Sequence, residues 1–263
     1  MLELYHWEPN GSYLKPLIAV HEKGLEVRCI YVDVPAFEHF SPDFPLAPSL
    51  QTSLQLEGEG PILIHDGVQI TESHFMLQYL DDAFPQRPLR PANPVDRWRI
   101  LAWARFINEV FMPAVSTLGC RRYLRPLLRA RGITELPETV WQLPLKLRSE
   151  VWAAAVYGSY PESLVQDSCR KIRMAVKRIE QTLRDSQWLV GTSCSLADID
   201  AFAIANCLPS LVPEIVNASD SPRTLEWIER MRARPAVRDA LAMSRTGRPE
   251  EAFVPGPEHA RWG

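Results

Sequence analysis

Apolar and polar positions recur in two rhythms along this chain, and the change from one to the other divides it. Leu2-Trp7 reads as a short strand, followed by a turn at Pro9-Asn10-Gly11-Ser12. Leu14, Leu17, Ile18 and Val20 then share one helical face between Leu14 and His21. Lys23-Gly24 supplies the cation and the glycine that favour a helix end. Arg28-Val34 alternates with a period of two and predicts a second strand. Residues 35–60 are rich in Pro and Ser and only weakly periodic, which predicts an irregular connection with at most a short helix. Two apolar runs, Pro61-His65 and Val68-Ile70, flank Asp66-Gly67 in the pattern of a β-hairpin. Thr71-Glu72-Ser73 opens a helix carrying Phe75, Met76, Tyr79 and Leu80 toward Phe84. The predicted order is β-α-β, a long loop, then β-β-α.

Pro85, Pro88, Pro91 and Pro94 interrupt any helix there and mark residues 85–95 as a linker. Beyond it the three- and four-residue spacing of helices takes over. Trp98, Leu101, Ala102, Phe106 and Val110 fit a helix over Asp96-Gly119, with a bend at Pro113. Further helices are predicted over Glu162-Leu183, Leu196-Leu208, Pro222-Arg234 and Pro235-Met243. Residues 121–160 read as helical pieces broken by loops. The polar, Pro- and Gly-containing stretch 246–263 reads as a surface strap or a mobile tail. The fold class is therefore α+β with two domains, an α/β unit over 1–84 and an all-α unit over 96–245.

Composition narrows the partners. With 263 residues, 46% of them hydrophobic, the chain can fill two modest cores. A formal charge of -3 leaves no basic excess for phosphates, so neither nucleic acid nor an anionic membrane surface is an expected partner. No apolar run approaches the roughly 20 residues of a membrane span. The first residues, Met1-Leu-Glu-Leu-Tyr-His-Trp7, lack the basic and apolar regions of a secretory signal. Five dispersed cysteines without a Cys-x-x-Cys point to a reducing cytoplasm rather than a disulfide framework or a zinc site. The six histidines show no ligand spacing, and no metal is expected.

Two short motifs carry candidate chemistry. Pro61 opens a strand directly after Gly60, where a cis peptide would turn backbone N–H and C=O groups toward a ligand; an ordinary edge-strand proline is the alternative. Glu72-Ser73 stands at a helix start. Ser73 there either caps the helix or, with the positive end of the helix dipole, holds a carboxylate while Glu72 holds an ammonium group. The free amino-acid end of a γ-glutamyl peptide carries both groups on one carbon.

Taken in order with the Pro-rich linker, these motifs resemble the cytosolic glutathione transferases. The second half adds Ser195-Leu-Ala-Asp198 followed by Ile199-Asp200-Ala201-Phe202, similar to the family's capping box, in which Ser195 accepts from the N3 amide and Asp198 reaches back. Ser221-Pro222 and Arg234-Pro235-Ala236-Val237 are similar to its closing helices. The resemblance spans roughly residues 1–245. A finer likeness is to the bacterial glutathione-dependent β-etherases, which cleave β-aryl ethers of lignin-derived aromatic dimers. It rests on Ser12-Tyr13-Leu14-Lys15-Pro16, Glu22-Lys23-Gly24-Leu25-Glu26, Tyr31-Val32-Asp33, Val115-Ser116-Thr117-Leu118-Gly119 and Phe202-Ala-Ile-Ala-Asn206.

The resemblance implies a thioredoxin-like first domain, an all-α second domain and glutathione as co-substrate, with no metal. It implies that Gly60 and Pro61 meet the cysteinyl residue of glutathione and that Glu72 and Ser73 hold its γ-glutamyl end. The thiol would point at the first helix, with Ser12 as the first candidate donor, Asn10 the second and Tyr13 the third. The acceptor pocket would lie between the domains, with walls from Trp7, Glu8, Pro9, Asn108, Phe111, Met112 and Ser116; Trp141, Trp152 and Tyr157 are unplaced aromatics. Family members are dimers, which implies an identical or a second transferase subunit as partner. Two positions depart from the family pattern. Glu59 stands where an uncharged residue is usual, and Gly60 where Val is usual. They leave open a partner subunit with weak or absent catalysis, or a transferase or dehalogenase acting on another electrophile.

Overall fold

Leu2, Leu4 and His6 are buried while Glu3 and Tyr5 between them are only partly covered, so the first strand turns one face inward. The structure is a computed structural model that describes residues 1–41, 60–143, 146–158 and 160–256. Its first half runs β1 (Leu2–His6), α1 (Gly11–Lys23), β2 (Arg28–Tyr31), β3 (Ile62–His65), β4 (Val68–Ile70) and α2 (Ser73–Ala83). The sheet order is β2-β1-β3-β4. β1 and β2 are parallel across α1, and β3 is antiparallel to both β1 and β4. Asp66 (φ 49°) and Gly67 (φ 82°) make the hairpin turn expected of Asp-Gly.

Some boundaries differ from the sequence reading. The second strand stops at Tyr31 rather than Val34, because the Asp33 carboxylate accepts from the Ala36 amide at 3.3 Å and starts a 3₁₀ turn over Val34–Ala36. A second 3₁₀ turn covers Glu38–Phe40. The first helix starts at Gly11, three residues before Leu14. Most of the predicted irregular connection, with Glu59, lies outside the described residues.

The second half is helical among the described residues. α3 (Pro94–Phe106) begins inside the stretch read as linker, because Asn93 accepts from the Val95 amide at 2.8 Å and Pro94 fits a first turn that needs no N–H. A wide π turn over Ile107–Phe111 leads into α4 (Met112–Gly119), and another over Cys120–Leu124 leads into α5 (Arg125–Ala130). Pro113 and Pro126 each stand two residues past such a turn. A proline ring crowds the preceding helical turn, and the wider turn gives it room; the predicted bend at Pro113 takes this form. Then follow α6 (Glu138–Trp141), α7 (Lys146–Tyr157), α8 (Glu162–Thr182), α9 (Leu196–Ala205), α10 (Leu208–Leu211), α11 (Pro222–Arg232) and α12 (Pro235–Ala242). No helix among the described residues is long and apolar enough to cross a membrane.

All ten residues of α9 are buried. Ser195 and Asp198 form the two-way capping box at its start. Asp198 also accepts from the Leu189 amide at 2.9 Å and from Trp227 Nε1 at 3.1 Å. Burial pushes its carboxyl up to about 6 even against these donors.

The halves are joined by charge as well as by apolar contact. Lys15 of α1 places Nζ 2.6 Å from Asp200 Oδ1 of α9 and donates to Asn108 Oδ1 at 2.8 Å, with both ions buried. The Pro-rich segment is also tied down. Asp81 accepts from Lys23 Nζ at 2.9 Å, the Leu89 amide at 2.8 Å and Arg90 Nε at 2.8 Å, and the Leu89 carbonyl accepts from the Leu196 amide at 3.0 Å.

Candidate active site

The turn between β1 and α1 brings Asn10, Gly11 and Ser12 to the cleft between the halves. Asn10 is the N-cap of α1, and its side chain makes no capping hydrogen bond, so the amides of the first turn receive nothing from it. Its Nδ2 instead donates to the Ala252 carbonyl at 2.9 Å, and its buried Oδ1 has no partner. Ser12, the second helical residue, lines a small cavity with Met112, Val115 and Ser116 of α4 and Ala203 and Ile204 of α9.

The entry to β3 faces the same turn. Gly60-Pro61 is cis, and Gly60 has φ 94°, a conformation that L side chains rarely adopt. A Cβ on Gly60 would lie 2.9 Å from the Tyr13 hydroxyl. Tyr13 thus rides over the backbone that precedes the proline, which accounts for glycine where the family usually has Val. Burial raises the Tyr13 hydroxyl above its ordinary value, so it stays protonated at neutral pH.

α2 repeats the arrangement of α1. Its N-cap is Glu72 rather than Ser73, at φ 64° and again without a side-chain capping bond. A non-glycine residue held at positive φ costs of order 1 kcal/mol or more, and such strain gathers at ligand sites. Ser73 is the buried first residue of the helix. Two helix starts without side-chain caps, a cis-proline strand entry and an acidic N-cap suit a tripeptide bearing a carboxylate, an ammonium group and a thiol.

Other sequence-predicted wall residues have different neighbours. Trp7 is buried edge-to-face on Tyr13 with ring centroids 6.4 Å apart, and Phe111 is 1% exposed. Asn108 is committed to Lys15, to the Ala104 carbonyl at 2.8 Å and to Asp200 Oδ2 at 3.2 Å, leaving little for a substrate carbonyl. Glu8 accepts from Tyr31 at 2.8 Å, the Arg245 amide at 2.9 Å, both Thr246 donors and the Ser244 hydroxyl. Burial pushes the Glu8 carboxyl up, and these donors outweigh it and hold it below its ordinary value. Trp141 and Tyr157 are exposed, and Trp152 is buried against Phe37, His39 and Phe40. Met112 and Ser116 do reach the cavity.

Sequence reasoning missed Lys15, Asp200 and the segment Ala252–Val254, which lines the same cavity. A lone Lys on the apolar stripe of the first helix was the available signal for the buried ion pair. Among the described residues no group of three or more His, Cys, Asp or Glu side chains gathers as a metal ligand set.

Comparison with known proteins agrees with this geometry. The family model for the glutathione S-transferase N-terminal domain matches residues 1–82, and that for the C-terminal domain matches residues 134–235. The chain is 34% identical over 250 residues to protein LigF of Sphingobium sp. (strain NBRC 103272 / SYK-6), spanning 93% of this chain and 94% of that one. The crystal structure of β-etherase LigF from that strain matches with a TM-score of 0.82 and 32% identity, over 92% of this chain and 99% of the other. Glutathione transferase URE2P8 of Phanerochaete chrysosporium, solved with oxidised glutathione, shares the fold at a TM-score of 0.68 and 21% identity, over 93% and 95% of the chains. This chain belongs to the glutathione S-transferase family.

Proposed function

We propose that this protein is a glutathione-dependent β-etherase that cleaves β-aryl ethers of lignin-derived aromatic compounds. The observation that carries the reading is its likeness, in sequence and fold, to a β-etherase over more than nine-tenths of the chain. Gly60 and Pro61 offer the backbone for the cysteinyl residue of glutathione, and Glu72 and Ser73 receive its γ-glutamyl end. Its sulfur then faces the start of α1.

A free thiol has a pKa near 8.5, so only about 3% is thiolate at pH 7. Lowering that value by about two units makes the anion predominate and takes roughly 2.7 kcal/mol. The open first-turn amides of α1 and one hydroxyl donor are of that order. Ser12 is the donor this reading favours. Asn10 has its amide turned to Ala252, and Tyr13 is the reserve donor. The thiolate attacks the carbon bearing the aryl ether oxygen, beside a ketone that activates displacement. A carbon–sulfur bond forms as the carbon–oxygen bond breaks, and the electron pair leaves on a phenolate that takes its proton from water.

The same reading places the protein in the cytoplasm, in keeping with its five free cysteines. It also gives the protein a subunit partner. Val95, Trp98 and Leu101 form an exposed apolar stripe at three-residue spacing on α3, which a second transferase subunit, identical or not, would cover. Release of phenol from a chromogenic β-aryl ether ketone, followed with and without glutathione, tests the activity. Glutathione-dependent release with a matching thioether product is expected; no release at any glutathione concentration overturns the proposal.

A further inference from the structure

The C-terminal segment was read from sequence as a surface strap or a tail, yet the structure inserts it into the interdomain cleft. It is anchored first at its root, where Glu8 takes the donors of Ser244, Arg245 and Thr246. It turns at Gly247 and comes back to the cleft, where Asn10 Nδ2 holds the Ala252 carbonyl and Arg148 Nη1 donates to the Gly256 carbonyl at 3.1 Å. Glu8 and Asn10 both belong to the turn that starts α1. The segment is thus clamped to the very loop that carries the candidate thiol donors.

Phe253 is the centre of this insertion. It is buried and lies parallel to Tyr123, with ring centroids 5.8 Å apart and planes 6° apart. It also presses on Gly119, where a Cβ would fall 2.1 Å from the ring. A glycine inside a helix is less stable than alanine, so the sequence gives up helix stability at Gly119 to seat an aromatic ring there. With the segment in place the cavity beside Ser12 has about 20 Å³ of free volume. That is room for about one water. A two-ring aryl ether needs a site in the range of roughly 300–1,000 Å³.

We infer that residues 247–256 are a displaceable plug, and that Phe253 stands on Tyr123 in the place an aromatic ring of the acceptor takes when it binds. The identity of the acceptor rests on the reading given under Proposed function; the plug itself rests on the volume and the stacking. The root at Glu8 keeps the segment attached while its tip leaves, and the incoming ring replaces the contacts that Phe253 gives up. Binding is therefore a competition between two aromatic rings for one face.

Dihydrochalcone, a two-ring ketone with a methylene in place of the ether oxygen, has no leaving group and serves as the probe. Its binding is measured by calorimetry without glutathione, in the full chain and in Phe253→Ala, Phe253→Leu and Tyr123→Ala, together with hydrogen exchange of the amides of 248–256. Phe253→Ala should bind at least fivefold tighter, Phe253→Leu should move in the same direction while keeping apolar bulk, and Tyr123→Ala should bind at least fivefold weaker. Exchange of the segment should quicken when the probe binds the unaltered chain. Equal or weaker binding by both Phe253 variants, unaltered exchange on binding, or no binding by any variant overturns the inference. If the probe behaves as expected while no aryl ether is cleaved, the plug stands and the β-etherase reading falls.

Discussion

The start of α9 and the starts of α1 and α2 are built in opposite ways. At α9 Ser195 and Asp198 cap each other's backbone, the Leu196 amide donates to the Leu89 carbonyl, and Asp198 also holds Leu189 and Trp227. At α1 and α2 the N-cap side chains, Asn10 and Glu72, make no capping bond. A good N-cap contributes about 1 kcal/mol, and the first half forgoes it twice. A backbone N–H already held by a side-chain cap is not free for a ligand, so the two arrangements suit different uses. Where the helix is sealed in the core its amides are satisfied from within. At the cleft the N-cap side chains of α1 and α2 leave them uncapped.

That contrast can be broken by experiment. Asp198→Ala should be the most damaging change, since it strands the amides of Leu189 and Ser195 and the Trp227 indole; a loss of about 4 kcal/mol is expected from urea unfolding. Asn10→Ala should cost only about 1 kcal/mol, the hydrogen bond to Ala252. Equal losses at the two N-termini would erase the distinction. Next, Ser12→Ala should lower kcat/KM for aryl ether cleavage by about a hundredfold, the scale of losing one donor to an anion, with the unfolding midpoint unmoved. If Ser12→Ala and Asn10→Ala both keep full rate, the α1 amides, with Tyr13 in reserve, are the better candidates for activating the thiol.

The smallest expected effect is an acid-side one. Burial pushes the Asp81 carboxyl up, but the Leu89 amide, Arg90 and Lys23 outweigh it and hold the folded value below the ordinary carboxylate range. Its contribution is complete above the unfolded pKa near 3.9 and drains away as the pH falls through the folded value. Asp198, held up at about 6, works the other way and adds stability as the pH falls from about 6 toward 4; below about pH 4 the urea midpoint should drop, and Asp81→Asn should flatten that drop. An unchanged slope would mean that other carboxylates carry it.

Local patterns were legible in the sequence and distant ones were not. The strand and helix order, the Asp66-Gly67 turn and the Ser195–Asp198 box follow from residues within four positions of each other. The cis bond at Gly60-Pro61 was one of two readings of a local pair. The second strand was drawn too long because Asp33 looks like an alternating strand residue until its side chain turns to Ala36. The roles of Asn108, Glu8 and Phe253 depend on partners some 90 to 240 positions away, as in the 236 positions between Glu8 and Ser244, and no local rhythm encodes them. Gly60 looked like a defect in the family pattern until Tyr13 was found above it.

The pairing of Lys15 with Asp200 bears on how the molecule can be divided. Composition puts a seam at the prolines, as though two modules had been strung together. Severing the chain there would put the ammonium on one fragment and its carboxylate on the other, so the fragments could dock again only by burying both ions together.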